Sequence, residues 1–187
     1  MFKQIILVIL FNIVVLPAYA EDAVDAVDEV EAVDVDAPVD MVATSCPNVT
    51  EIPQDECETL IELYNNTYGD TWTDAYSNNW NLTDNPCSWA GIGCTNGHVT
   101  SIERIQNNLT GSLPDLSSLL ELQILNLSSN KLAGIIPSSL RNLTNLTVLN
   151  LKNNQLNSSI PDVSLLTKLQ TLELQNNKLE NNIPFSV

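Results

Sequence analysis

From residue 119 onward the chain repeats itself. Leu119, Leu122, Leu125, Leu127, Asn130, Leu132, Gly134, Ile136 and Pro137 return as Leu143, Leu146, Leu149, Leu151, Asn154, Leu156, Ser158, Ile160 and Pro161. They return again as Leu166, Leu169, Leu172, Leu174, Asn177, Leu179, Asn181, Ile183 and Pro184. The offset is 24 residues and then 23, as Leu119, Leu143 and Leu166 show, a period that belongs to stacked coils. A weaker copy runs Val99, Ile102, Asn107, Leu109, Gly111, Leu113 and Pro114, so there are four repeats and the first is degenerate. In each LxL pair the leucines alternate with an outward residue, which is strand geometry. The asparagine three positions later can bond the backbone of the following turn with its amide. One such coil cannot bury its own leucines, and only the stack is stable. Asn107, Asn130, Asn154 and Asn177 are therefore expected to be structural.

The segments GSLP, GIIP, SIP and NIP, set in this register, resemble the plant-specific leucine-rich repeat with its consensus LxxLxxLxLxxNxLxGxIP. Upstream, CSWAGIGC followed by GHVTSI, with ECETLIELYNNTYGDTW before it, resembles the N-terminal cap that precedes such repeats. This combination occurs in plant receptor kinase ectodomains and polygalacturonase inhibitors, and in secreted bacterial and protist proteins. The resemblance covers about residues 46–187 and implies an α/β fold: a leucine-rich-repeat solenoid with a short, curved parallel sheet behind a disulfide-bonded N-terminal cap. It implies a mode of use, binding, without naming a ligand.

Four cysteines, Cys46, Cys57, Cys87 and Cys94, lie in the cap. Outside the cytoplasm such thiols pair, so two disulfides are expected, and the sequence alone allows three connectivities. The resemblance implies Cys87 with Cys94, which leaves Cys46 with Cys57. Zinc is disfavoured because no CxxC pair occurs. Glu56 to Tyr64 reads as a short amphipathic helix with Cys57, Leu60, Ile61 and Tyr64 on one face, and Asp55 or Pro53 suits its start. Trp72, Trp80 and Trp89 are expected to form cap core over the first coil. Arg104 breaks the pattern, standing where later repeats place Leu127, Leu151 and Leu174. An inward arginine is expensive unless paired. Either the first strand shifts register or Arg104 turns back to an acid of the cap.

Residues 1–20 read as a signal peptide: Lys3, an apolar run from Ile5 to Leu16, then Pro17 and the small-residue end Ala18, Tyr19, Ala20. That run is short for a bilayer, and no second one follows, so no membrane span is expected after cleavage. Residues 21–45 form a low-complexity acidic stretch, expected to be a self-repelling spacer. The domain plan is thus leader 1–20, spacer 21–45, cap 46–98 and repeats 99–187, the last repeat incomplete or uncapped. The expected location is secreted, extracellular or cell-envelope, periplasmic in a Gram-negative bacterium. The net charge of −16 sits in the spacer and cap: residues 41–98 hold eight acids and no Lys or Arg, whereas from 99 onward six acids meet six bases. With no basic patch, nucleic acid is a poor partner.

Catalysis finds little material. The single histidine, His98, lies beside Gly97 at the entry to the first repeat, and all four cysteines are assigned to disulfides. Glu103 and Glu173 occupy equivalent outward positions, but three strand steps of about 4.8 Å separate them, too far for a glycosidase pair. No enzyme, metal or cofactor is expected. Eight Asn-x-Ser/Thr sequons occur, yet the repeat consensus itself spells Asn-Leu-Ser/Thr. Counting outward from the LxL pairs gives three columns on the concave face. Ser101, Ile124, Val148 and Thr171 form one, Glu103, Asn126, Asn150 and Glu173 the centre, and Ile105, Ser128, Lys152 and Gln175 the third. This mixed strip suits a protein, peptide or polysaccharide ligand. The alternative is a structural or adhesive component acting by self-association through its C-terminal repeat.

Overall fold

The computed structural model describes residues 46, 48–74 and 79–180, together with Val8–Ile9 and Asn12–Ile13. The chain divides into two compact units, Met1–Pro38 and Val39–Val187. In the first, β1 (Val8–Ile9) pairs antiparallel with β2 (Asn12–Ile13). The rest of the expected leader and the whole acidic spacer lie outside the described residues, as does the end of the last repeat from residue 181.

The second unit opens with α1 (Gln54–Asn66), whose first turn follows Pro53 without a side-chain cap. Its buried face holds Cys57, Leu60, Ile61 and Tyr64, as the spacing predicts, and Leu63 as well. Cys46 is bonded to Cys57, and Cys87 to Cys94. These are the pairings the cap resemblance implies. Trp72, Trp80 and Trp89 are buried, with ring centroids 5.0 Å apart for Trp72 and Trp80 and 5.2 Å for Trp80 and Trp89. Each indole N–H reaches a backbone carbonyl, of Thr67, Ala90 and Thr83 respectively, so the cap core buries large apolar rings without leaving their donors unmet.

Beyond the cap the coils stack on two sheets. The first runs β3 (Ile92–Thr95), β4 (His98–Glu103), β5 (Ile124–Asn126), β7 (Val148–Asn150) and β9 (Thr171–Glu173) in that spatial order. The last four are parallel, one from each repeat, and β3 is the antiparallel arm of the cap hairpin. Periodicity foresees the four parallel strands but not the fifth, which comes from the cap. The second sheet, β6 (Ala133–Gly134), β8 (Gln155–Ser159) and β10 (Lys178–Glu180), is also parallel. It was not legible because these strands are short and carry no sustained apolar alternation.

The inward leucines close a continuous core from Leu109 and Leu119 through Leu156. Between the sheets the asparagines form the expected ladder. Asn130 accepts the N–H groups of Asn107 and Leu109 on its Oδ1 and donates to the carbonyls of Arg104 and Leu127. Asn154 and Asn177 repeat this one and two coils on, accepting from Leu132 and Leu156 and donating to Leu127 and Leu151 of the preceding coils. The residue before each ladder asparagine is left-handed: Gln106, Ser129, Asn153 and Asn176 have φ between 51° and 60°. The carboxamide thus satisfies backbone groups that this bend would bury unpaired.

Where the cap meets the first coil, glycine is obligatory at Gly111. Its φ is +79°, and a Cβ there would stand 2.1 Å from the carbonyl oxygen of Asn66 at the end of α1. Arg104 resolves in favour of the second alternative. The strand keeps register, with Ile102 opposite Leu125 and Glu103 opposite Asn126. Arg104, 4% exposed, points inward and back to the cap. It donates to Asp74 at 2.5 Å and to the Ala90 carbonyl at 3.0 Å, and lies 4.6 Å over the Trp72 ring. Asp74 also accepts from Asn107 of the ladder at 2.9 Å. One carboxylate therefore joins cap, core arginine and ladder.

Removing that carboxylate strands a buried guanidinium, so Asp74→Ala is expected to cost about 3 kcal/mol. Arg104→Leu, which restores the residue type of the other coils, should cost less than about 1 kcal/mol. Urea unfolding of both variants checks this; equal losses would show that the charge pair is not what Asp74 supports.

Candidate functional site

The outward positions of the first sheet fall into the columns counted from sequence. Ser101, Ile124, Val148 and Thr171 are successive pairing partners, and so are Glu103, Asn126, Asn150 and Glu173. The third column follows from the ladder bonds just past the strands. Gln106 N–H reaches the Ser128 carbonyl, Ser129 N–H the Lys152 carbonyl, and Asn153 N–H the Gln175 carbonyl.

The columns are not uniformly open. Ser128 is 3% and Asn150 8% exposed, so these two contribute little surface. Ile105 is 49% exposed, an aliphatic side chain presented to solvent. Glu103 and Gln175 are exposed, and the other members are half-buried. The C-terminal half of the centre is internally knitted: Glu173 accepts from Asn150 Nδ2 at 2.7 Å and pairs with Lys152 Nζ at 2.6 Å. Asn126 and Asn150 also accept from the N–H groups of Ser128 and Lys152. Glu103 forms no ion pair among the described residues. Glu103 and Glu173 are separated by two intervening strands, as the repeat spacing requires.

His98 belongs to the cap hairpin. Its Nδ1 lies 2.7 Å from Oε1 of the buried Glu56, whose Oε2 accepts the Val99 N–H at 2.7 Å. The pair ties α1 to β4. Among the described residues there is no group of three or more His, Cys, Asp or Glu side chains that could hold a metal ion, and no helix long and apolar enough to cross a membrane.

Residues 120–179 match the leucine rich repeat family and residues 53–95 the leucine rich repeat N-terminal domain. The described part is a capped leucine-rich-repeat module. Among curated relatives, receptor-like kinase TMK4 of Arabidopsis thaliana is 43% identical over 60 residues, 32% of this chain and 6% of that protein. Receptor-like protein kinase 7 of the same plant is 34% identical over 107 residues, 54% of this chain and 11% of that protein. The chain thus spans about a tenth or less of the length of these relatives, within their leucine-rich-repeat region, and the kinase in their names refers to other domains. Among solved structures, PEPR1-AtPEP1 superposes with a TM-score of 0.62 at 32% identity over 68% of this chain and 18% of that one. The leucine-rich-repeat ectodomain of the Arabidopsis receptor kinase HAESA, in complex with an IDA peptide hormone, gives 0.55 at 27% identity over 70% and 22%. The SOBIR1 ectodomain from Arabidopsis thaliana gives 0.57 at 28% over 68% and 70%.

In this leucine-rich-repeat module the cap clasp carries a pH dependence. The hydrogen bond to Glu56 holds the His98 imidazole above its ordinary 6.5, against the smaller opposing effect of desolvation, with the charges of Glu56, Glu121 and Asp55 adding to the rise. A raised folded value means that the clasp's contribution is complete below about pH 6.5 and is lost as pH climbs through the folded value. His98→Gln should therefore flatten the fall in melting temperature between pH 6 and the alkaline side. A profile identical to that of the unaltered chain would show that this contact does not contribute.

Proposed function

We propose that this chain is an extracellular recognition module that takes a peptide, or a loop of a protein partner, on the concave face of its first sheet. The observation that carries the reading is the pair of continuous outward columns on parallel strands. Stacking fixes their spacing, while the leucines and asparagines that make the fold point elsewhere. Outward residues are thus free to vary in chemistry without disturbing the coil. The HAESA ectodomain, bound to a peptide hormone, supports a peptide as the ligand class. Both disulfides support an oxidising, extracellular location and secretion through the leader at residues 1–20. A polysaccharide fits less well, because no aromatic ring stands in any of the three columns for a sugar to stack on.

Self-association has a specific observation in its favour. Among the described residues Leu169, Leu172 and Leu174 of the fourth coil are only partly buried, whereas Leu146, Leu149 and Leu151 of the third are buried. Assembly through that edge would cover them. Light scattering of the folded chain should then show a dimer that Leu174→Lys converts to monomer; a monomer at high concentration removes this second reading.

For the main reading, a random peptide library displayed on phage is panned against the chain. Binders should lose at least about tenfold in affinity when Ile124 and Val148 are both replaced by arginine, which buries unpaired charge at the contact. They should keep their affinity with Gln155→Arg on the second sheet. Binders indifferent to the Ile124 and Val148 substitutions would overturn the concave face as the site.

A further inference from the structure

Resting on the concave-face reading, we propose that the N-terminal end of this face is a subsite for a cationic side chain, with Glu103 receiving a lysine or arginine of an extended peptide. Two carboxylates stand in the central column, and the fold treats them differently. Glu173 is already engaged by Lys152 at 2.6 Å and Asn150 at 2.7 Å. Glu103 is exposed and has no ion pair among the described residues. Its lateral neighbour on β5 is the neutral Asn126, and its outward neighbours along the chain are Ser101 and Ile105. The one arginine next to it in sequence, Arg104, points into the core and is spent on Asp74.

On the cap side of Glu103 the described neighbours in the sheet are glycines. Its N–H bonds the carbonyl of Gly91 at 2.7 Å, and Gly93 stands opposite Ser101. Gly91 does not tolerate a side chain, and at Gly93 one would displace the Ser101 hydroxyl. A Cβ on Gly91, whose φ is +78°, would lie 2.1 Å from the Glu103 carbonyl oxygen, and one on Gly93 would lie 2.4 Å from Ser101 Oγ. The carboxylate is consequently approachable over a floor of backbone on one side. Along the chain stands Ile105, 49% exposed, a surface on which the aliphatic stem of Lys or Arg can lie while its charged head meets the carboxylate. The subsite thus offers an acid for the head and an apolar shelf for the stem, both exposed.

The wider field has the same sign. Residues 41–98 contain eight acids and no Lys or Arg. Asp74 and Glu56 are paired with Arg104 and His98, and the remaining six, Glu51, Asp55, Glu58, Glu62, Asp70 and Asp84, are exposed. An acid-only cap bordering the strip raises the local concentration of cationic ligands and speeds their arrival. The repeats beyond, where acids and bases balance, add no opposing field.

The probe is the phage library, with selected peptides resynthesised for measurement on the full chain. Selected sequences should carry a lysine or arginine whose replacement by norleucine weakens binding about tenfold, and Glu103→Gln should weaken the parent peptide by a similar factor. Affinity should fall as salt is raised. Glu103→Arg paired with a peptide whose basic residue is changed to glutamate should recover binding, a readout that a structural role for Glu103 would not give. Peptides that need Ile124 and Val148 but contain no basic residue, or that ignore Glu103→Gln, would overturn the cationic subsite while leaving the concave face standing. Peptides that ignore Ile124 and Val148 would remove the face itself.

Discussion

Every coil of this molecule depends on a bend at which backbone groups turn inward, out of reach of water and of the sheet ladders. The ladder asparagines meet that demand. Asn130, Asn154 and Asn177 each accept from an N–H of the coil before and donate to carbonyls of that coil and their own. A buried unpaired amide costs roughly 1–3 kcal/mol, and the bend would leave several per coil. The leucines supply the apolar core, but the carboxamides fix the pitch, because each holds the neighbouring coil at one distance. The outward columns inherit their regularity from that spacing.

The cap solves the same problem at the end of the stack, where no preceding coil exists to receive the bonds. Asp74 takes the place of a ladder partner for Asn107, and the same carboxylate neutralises Arg104. The tryptophans provide the surface that a preceding row of leucines would otherwise give, with Trp72 and Trp80 also facing the guanidinium. Arg104 is therefore the point at which the repeat stops being self-similar, and its charge specifies the cap. The added strand β3 has a second effect: it covers the edge of β4 and brings the glycines of CSWAGIGC beside Glu103.

Much of this was legible because it is periodic. The spacing of leucines and asparagines predicts strands, register, core and ladder, and Ile102, Leu125 and Leu149 stand side by side accordingly. The outward columns follow from the same count. What escaped has no period. The second sheet rests on backbone proximity in short segments such as Ala133–Gly134, and the burial of Ser128 and Asn150 comes from neighbours that a column count does not see. Arg104 could be flagged as a conflict between charge and position, but its partner lay 30 residues upstream with nothing local to single out Asp74 among eight cap acids. Likewise, Glu103 and Glu173 look equivalent in sequence. Only the side-chain network around Lys152 separates an engaged carboxylate from an open one.

The asparagine ladder holds cap and coils at fixed pitch, so that they open as one cooperative body and the outward face is a rigid template. Native-state hydrogen exchange tests this most directly, followed at the amides of Leu109 and Leu132, which the ladder bonds, and of Val99, which the buried Glu56 bonds. All three are expected to exchange through the same global opening, with free energies agreeing within about 0.5 kcal/mol. If Leu132 exchanged through a much cheaper local opening while Val99 remained protected, the coils would be loosening independently of the cap, and the outward face would not be a rigid template.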